Sequence, residues 1–417
     1  TLMSSCRARW ILPVDSRPIR NGLLTVKGDR IVAVGDGPSR SDTVDFGNAV
    51  LLPGLVNAHT HLEYSERESP IGQHGMAFVD WIAEVVAWKR ARDADPAKGL
   101  RRRSQAVRRG LMECGRSGVT SVGEIATLPW TCEPYVASAG IDCVAFLEVI
   151  GLAKANENGL MDAVEQFVLA REDTHRGMDC GVSPHSPYSV NRDLLSHICE
   201  WSAKAKLPVA MHLAETAEEL QLLATGEGPF VDLLLSLGAW DATAFSPGGR
   251  PTSYLERLAR CHRALVIHGN FLDEDEIRFV AEHGDRMSIV YCPRTHAYFG
   301  HPRYPLAEML AAGVNVALGT DSRASNPDLC LLKEMRYVAK TYPEIDWSDV
   351  IRMGTLAGAQ ALGIVGRAGS LTPGKNADFV AVRLPDDSAS RPETLLEDDR
   401  CSVTHVCKSG LLIPRVS

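Results

Sequence analysis

The amino-acid sequence predicts an α/β protein: a TIM-like (β/α)8 barrel with a small β-sandwich domain built from both chain termini. Three observations carry this prediction. Eight short apolar runs lie between about Pro53 and Val365, each followed by a helical pattern. Those runs are apolar on both faces, as strands buried beneath helices must be. Strand-like alternation then reappears near each end of the chain, so the ends resemble each other and differ from the middle.

The eight runs are LLPGLVNA (51–58), GVTSVGEI (118–125), CVAFLEVI (143–150), CGVSP (180–184), PVAMH (208–212), ALVIH (264–268), MSIVYC (287–292) and VNVALGT (314–320). At the N-terminal end, GLLTVKGDRIVAVG (22–35) alternates around a Lys27–Arg30 turn. At the other end, ADFVAV (377–382) and the stretch from Val403 to Ile413 read as strands. The expected division is 1–52 with 365–417 for the small β domain, and 53–364 for the barrel. The stretch from Thr225 to Arg250 is richer in Gly and Pro and reads as a loop insertion or lid.

Bulk composition narrows the function classes. The net charge of −8 over 417 residues gives no global attraction to nucleic acid or an anionic membrane. A local basic cluster (Lys98, Arg101, Arg102, Arg103, Arg108 and Arg109) reads as the solvated face of a helix whose apolar stripe is Leu100, Val107, Leu111 and Cys114. The 11 cysteines are an odd number without a C-x-x-C pair, which fits reduced thiols. No run approaches the roughly 18 apolar residues of a membrane span, and Trp10–Val14 is too short for a signal-peptide core. The expected setting is the cytoplasm, and the expected partner is a small-molecule substrate.

Barrel enzymes carry their chemistry at the C-terminal ends of the strands. Ionisable residues sit there in this sequence. His59 and His61 end the first run, His185 the fourth and His268 the sixth. His212 ends the fifth, with Glu215 three residues on, and Asp321 follows the eighth. In a strand, residues two apart share a side, so His59 and His61 can converge on one ion. Imidazole and carboxylate suit zinc or a similar first-row metal. Such an ion lowers the pKa of a bound water from about 15.7 to about 7.

These motifs resemble the amidohydrolase superfamily. PGLVNAHTH is similar to its first-strand motif, and HLAET to the H-x-x-E element of its adenosine and cytosine deaminase-type members. LGTDS resembles its Asp-bearing eighth strand, and GSLTPGKNADFVAV the return to its β domain. SPHSPYSV is most similar to the branch of S-adenosylhomocysteine, methylthioadenosine and aminofutalosine deaminases, with triazine hydrolases as cousins. The resemblance implies that His59, His61, His212 and Asp321 hold one divalent metal, with zinc expected ahead of iron or manganese. It implies that Asp321 takes a proton from the attacking water, that Glu215 shuttles protons to the ring nitrogen and leaving ammonia, and that His268 orients the water. It places His185 against the substrate and carries the expectation of a homodimer. Two-metal members bridge their ions with a fourth-strand lysine, whereas this chain has Ser183-Pro184-His185 there and no lysine between Lys154 and Lys204.

Further substrate contacts are expected from Glu63, two residues after His61, and from Trp81 in the apolar stripe of FVDWIAEVVAW (78–88). Thr295 and His296 stand where relatives often carry Ser-Asn, and both are expected to touch substrate, with His301 and Arg303 as weaker candidates. Two matches are decoys. Gly369–Lys375 fits a phosphate loop but lacks the Ser or Thr and is followed by a strand, and His61-Leu62-Glu63 lacks the P-C-x-x-C partner of another zinc-deaminase fold.

The expected function is hydrolytic deamination of an aminated heteroaromatic ring, in the first place an adenosine derivative. Three alternatives remain open on sequence. One is removal of chloride or an alkylamine from a triazine. Another is deamination of a guanine-type base. The third is a catalytically dead scaffold on the same fold.

Overall fold

The computed structural model describes residues 3–38, 43–136, 140–172, 178–245, 247–386 and 391–414. Eight parallel strands form its centre. They are β1 (Leu55–Thr60), β2 (Val119–Ala126), β3 (Asp142–Val149), β4 (Met178–Pro184), β5 (Pro208–Leu213), β6 (Arg263–His268), β7 (Met287–Tyr291) and β8 (Val316–Leu318). They pair in sequence order. A parallel bridge between Thr60 and Asp321 closes the ring, with Asp321 N–H donating to His59 O at 3.1 Å.

Alternation along the strands divides the core in two. Val56, Ala58, Val144, Phe146, Ala210, Leu265, Ile267, Val290 and Ala317 fill the inside of the barrel. Leu55, Val122, Leu147, Val209, Met211, Val266 and Ile289 face the helices outside. Each fully buried aliphatic side chain contributes about 1.5–3 kcal/mol of transfer free energy. At the N-terminal end of the strands, the helix Leu356–Ala361 plugs the barrel with Ala357, Ala359 and Ala361. The opposite rim is therefore the open one.

Two sheets from the chain ends form a sandwich. The first is four-stranded and orders Arg30–Gly35, Leu23–Lys27, Met3–Arg7 and Thr43–Asp45. The second is six-stranded and orders Leu411–Pro414, Ser402–Lys408, Phe379–Arg383, Ala49–Pro53, Trp10–Ile11 and Ile19–Arg20. Ile11, Leu24, Val26, Ile31, Leu51, Phe379 and Ala381 pack between them. The run 51–58 thus serves the six-stranded sheet and the barrel, and crosses from one to the other at Gly54. A Cβ there would lie 2.1 Å from Thr120 Oγ1, so only glycine permits the crossing.

Two helices after β1 shape the site, α1 (Phe78–Arg92) and α2 (Pro96–Arg116). Asp95 caps α2 by accepting Lys98 N–H at 3.1 Å, with Pro96 in its first turn. Val107, Leu111 and Cys114 are buried, while Arg102 pairs with Glu66 and Arg108 with Glu133 on the outside. Arg103 departs from the expected solvated face. It is buried and donates to Leu128 O at 2.9 Å, because the loop after β2 folds over that side of the helix.

The stretch read as a loop or lid also differs. Pro229–Ser236 is a helix entered at proline, and the helix Ala217–Thr225 precedes it. Phe230, Leu233 and Leu234 pack with Phe78, Val79 and Tyr188. The Gly and Pro residues there punctuate short helices rather than dissolve structure.

Candidate active site

Five histidines (His59, His61, His185, His212 and His268) and three acidic residues (Glu148, Glu215 and Asp321) meet at the open rim. His59 lies in β1 and His61 just beyond it, while His212 lies in β5. One ring nitrogen from each of these three falls within 4.8 Å of the others. His61 Nε2 and His212 Nε2 are 3.3 Å apart. His212 Nδ1 is 2.9 Å from His185 O, which makes Nδ1 the donor and leaves Nε2 a bare lone pair facing the cluster. Burial, and then the neighbouring imidazoles led by His59, keep the pKa values of His61 and His212 well below the ordinary value, so both rings are neutral.

The backbone holds this cluster in place. Glu124 of β2 accepts Leu62 N–H and contacts the Thr60 hydroxyl at 2.6 Å, on either side of His61. Gly319 passes so close to β1 that a Cβ would lie 2.9 Å from His59 Cβ. Two residues on, Asp321 adopts φ +56, and its Oδ1 lies 3.7 Å from both His59 Nε2 and His61 Nε2. Burial opposes ionisation of Asp321, yet the imidazoles of His59, His268 and His212 hold its carboxyl below the ordinary value.

Glu215 and His268 form the other half of the site. Ala214 (φ +53) and His268 (φ +68) carry left-handed backbone, an uncommon conformation for non-glycine residues that clusters at functional sites. The carboxyl of Glu219 fixes the first of these turns by accepting Ala214 N–H at 2.8 Å and Glu215 N–H at 3.0 Å. Asn270 donates to Glu215 O, and the Tyr304 hydroxyl to His268 O, both at 2.9 Å. Burial, with Asp321 and Glu219 nearby, raises the Glu215 carboxyl well above its ordinary range. His268 is held neutral, chiefly by burial.

A cavity of about 150 Å³ opens over these groups. Its floor is His61, His212, Glu215, His268 and Asp321, and its walls include Trp81, His185 and Tyr188. His185 Nδ1 contacts the Ser189 hydroxyl at 2.7 Å and the Ser186 hydroxyl at 3.0 Å, and its Nε2 faces Glu148 at 3.9 Å. Trp81 Nε1–H donates to Ala324 O at 3.2 Å, which sets its ring against the cavity.

Three expected contacts lie elsewhere. Glu63 does not line the cavity. The strand ends at Thr60 and Leu62–Tyr64 is a 3-10 turn, so alternation stops and the Glu63 carboxylate points to Lys89 at 3.0 Å and Arg92 at 2.7 Å. Thr295 and His296 sit on the short helix Pro293–Tyr298, buried behind the wall rather than in it. The Thr295 hydroxyl meets Ser325 at 3.0 Å, and the His296 ring packs among Tyr291, Tyr304 and His301. Of the weaker pair, His301 packs on Phe271 and Arg303 pairs with exposed Glu344.

The cavity also holds residues that sequence reasoning missed. Lys89 lines it four positions after Val85 on the same face of α1, just beyond the apolar stripe 78–88. Glu148 is an acid near the end of an otherwise apolar strand, a signal visible in CVAFLEVI.

The site fits a metal ion. Both ring nitrogens of His59 are buried without a hydrogen-bond partner, an expensive arrangement unless something else engages them. Three imidazoles and one carboxylate are the donor set a divalent first-row ion takes. A closed parallel barrel with such donors on its C-terminal rim, beside a buried acid, defines a metal-dependent hydrolase. The chain belongs to the amidohydrolase family, whose sequence pattern matches residues 50–413. It is 30% identical over 330 residues to the aminodeoxyfutalosine deaminase of Deinococcus radiodurans, covering 76% of this chain and 74% of that one. It is 28% identical over 389 residues to the 5-methylthioadenosine/S-adenosylhomocysteine deaminase of Moorella thermoacetica, covering 89% and 83%. In fold it matches the crystal structure of a zinc-bound adenosine deaminase from Xanthomonas campestris with a TM-score of 0.78 and 24% identity, covering 99% of this chain and 93% of that one.

Proposed function

We propose that this chain deaminates an adenosine derivative, exchanging a ring C–NH2 for C=O with uptake of water and release of ammonia. The observation that carries the reading is the pairing of Glu215 with His268, Oε1 to Nε2 at 3.3 Å, on the floor of a cavity that also exposes His61, His212 and Asp321. His59, His61, His212 and Asp321 would hold one zinc ion per chain. When bound, it supplies the Lewis acidity that lets water ionise near neutral pH. The bound zinc of the X. campestris neighbour supports that metal.

The chain's own groups do the rest. Asp321, held as a carboxylate, takes a proton from the attacking water. His268, neutral and buried, orients that water. Glu215, with a raised pKa, starts protonated and donates to the ring nitrogen next to the reacting carbon, which drains charge from the ring as the new bond forms. Its carboxylate then takes the proton of the newly added hydroxyl and passes it to the amino group, so that C=O forms and ammonia departs, and the proton taken by Asp321 returns to Glu215 for the next cycle. His185 holds the substrate, with Nδ1 engaged by the Ser186 and Ser189 hydroxyls and Nε2 left to the cavity. Trp81 and Tyr188 flank the ring and keep bulk water out.

The two curated relatives, both named as deaminases of adenosine derivatives, support that substrate class. No helix among the described residues is long and apolar enough to cross a membrane. The 11 cysteines form no disulfide, which supports a reducing setting such as the cytoplasm. The deciding experiment is ammonia release by zinc-loaded protein from adenosine, methylthioadenosine, S-adenosylhomocysteine, aminofutalosine, guanine, cytosine and an aminotriazine. Efficient release from one adenosine derivative is expected. Release only from guanine, cytosine or the triazine, or from nothing, overturns the substrate assignment.

A further inference from the structure

Two hydroxyl groups stand in line behind Asp321. Ser325 Oγ donates to Asp321 Oδ2 at 3.0 Å, and Thr295 Oγ1 lies 3.0 Å from Ser325 Oγ. A serine hydroxyl has a single hydrogen, and here the carboxylate takes it. Thr295 is therefore the donor to Ser325, and the chain of hydrogen bonds runs one way, toward Asp321. Thr295 is 1% exposed, Ser325 0% and Asp321 6%, so bulk water scarcely competes for these bonds.

The spacing of the two hydroxyls is itself fixed. The buried carboxylate of Glu334 accepts Arg294 N–H at 2.9 Å and Arg294 Nε–H at 2.6 Å, next to Thr295. It also accepts Asn326 Nδ2–H at 2.7 Å, next to Ser325. One side chain thus clamps the short helix after β7 to the loop after β8.

Asp321 has need of such support. The terminal torsion of an aspartate is broad and roughly two-fold, so covalent structure does not choose which oxygen faces the histidines. With Oδ2 held by Ser325, Oδ1 is the oxygen left 3.7 Å from His59 and His61.

We propose that Ser325 and Thr295 are positioning residues for the metal centre. They lock the Asp321 carboxylate so that Oδ1 is presented to the ion that His59, His61 and His212 hold. This assigns Thr295 a place behind the site rather than against the substrate. It rests on the metal-site reading above but not on the identity of the substrate.

The test is Zn2+ binding by the metal-stripped, full-length chain in competition with a chromophoric chelator. Removing a group that orients a metal ligand typically costs 10–100-fold in affinity. Ser325→Ala should weaken Zn2+ binding by at least about tenfold on that scale. Thr295→Val should weaken it less, Thr295→Ser should recover most of that loss, and Thr295→Val should add little once Ser325→Ala is present. If Ser325→Ala fails to fold, the Thr295→Val and Thr295→Ser pair carries the test, because both keep the Ser325–Asp321 bond. Unchanged Zn2+ affinity in folded Ser325→Ala, or in Thr295→Val where that is the variant in hand, overturns the proposal, as does a wild-type chain that binds no Zn2+. Weakened affinity together with no ammonia release from any substrate would leave this inference standing and remove the deaminase reading.

Discussion

Glu215 follows β5 and His268 ends β6, yet Glu215 Oε1 and His268 Nε2 lie 3.3 Å apart. Both are buried, and burial acts on them in opposite directions. It raises the acid well above its ordinary range and pushes the base well below its own. The pair therefore rests as a neutral carboxylic acid beside a neutral imidazole, which is the state a proton shuttle needs at the start of a deamination.

Replacing Glu215 with Gln removes the transferable proton and keeps the shape. Turnover of the accepted substrate should fall by at least about 100-fold, with zinc content unchanged. Steady-state kinetics and elemental analysis read the two quantities. Near-normal turnover would remove the shuttle role from Glu215.

The pH profile should show the same proton. Glu215 must enter the cycle protonated, so kcat/KM falls as pH rises through its pKa. Burial is the main cause of that raised pKa, and the charges of Asp321 and Glu219 add to it. Glu219 itself is pushed up by burial to about 7, so it carries its charge only above that pH. Glu219→Gln removes that charge and should move the alkaline limb to lower pH. A limb that stays in place, or moves up, contradicts this assignment.

Zinc should bind at one equivalent per chain and stabilise the fold. At a free concentration of about 100 times Kd the gain is about 2.7 kcal/mol, readable as a higher melting temperature in calorimetry. His61→Ala should lose both the stoichiometric zinc and the shift. Two tightly held equivalents would contradict the single centre.

Glu63 tests the boundary between scaffold and site. Its carboxylate neutralises Lys89 and Arg92, both within 3.0 Å. Glu63→Ala leaves Lys89 without its ion-pair partner and Arg92 with Asp93 alone, and should destabilise the protein by about 3 kcal/mol in urea unfolding, the lower end for a broken buried pair. KM should change little in Glu63→Ala and rise in His185→Ala. A raised KM with unchanged stability would return Glu63 to the substrate.

The sequence made the barrel legible because buried parallel strands are apolar on both faces, and each run here ends near a polar residue. The Gly54 crossing was hidden, since the run 51–58 contains no polar break where it passes from one sheet to the other. Glu63 misled because the two-residue period holds only within a strand, and β1 has already ended. Thr295 and His296 misled for a related reason: they follow a strand end, but a helical turn at once carries their side chains behind the wall. Lys89 and Glu148 were readable in hindsight from face and position, but a charged residue in an amphipathic helix or a strand end gives no sign of which space it enters.

The closure of the barrel has a consequence for synthesis. The stitch between Thr60 and Asp321 joins residues 261 positions apart, and Asp321 N–H reaches back to His59 O. His59 and His61 leave the ribosome early, whereas Asp321 and the loop that steadies it come late. A nascent chain that stops short of Asp321 lacks the fourth of these donors, so it cannot hold an ion by the full set. Binding of a metal by all four would thereby wait for completion of the ring, and a finished centre would certify that the first and last strands have met.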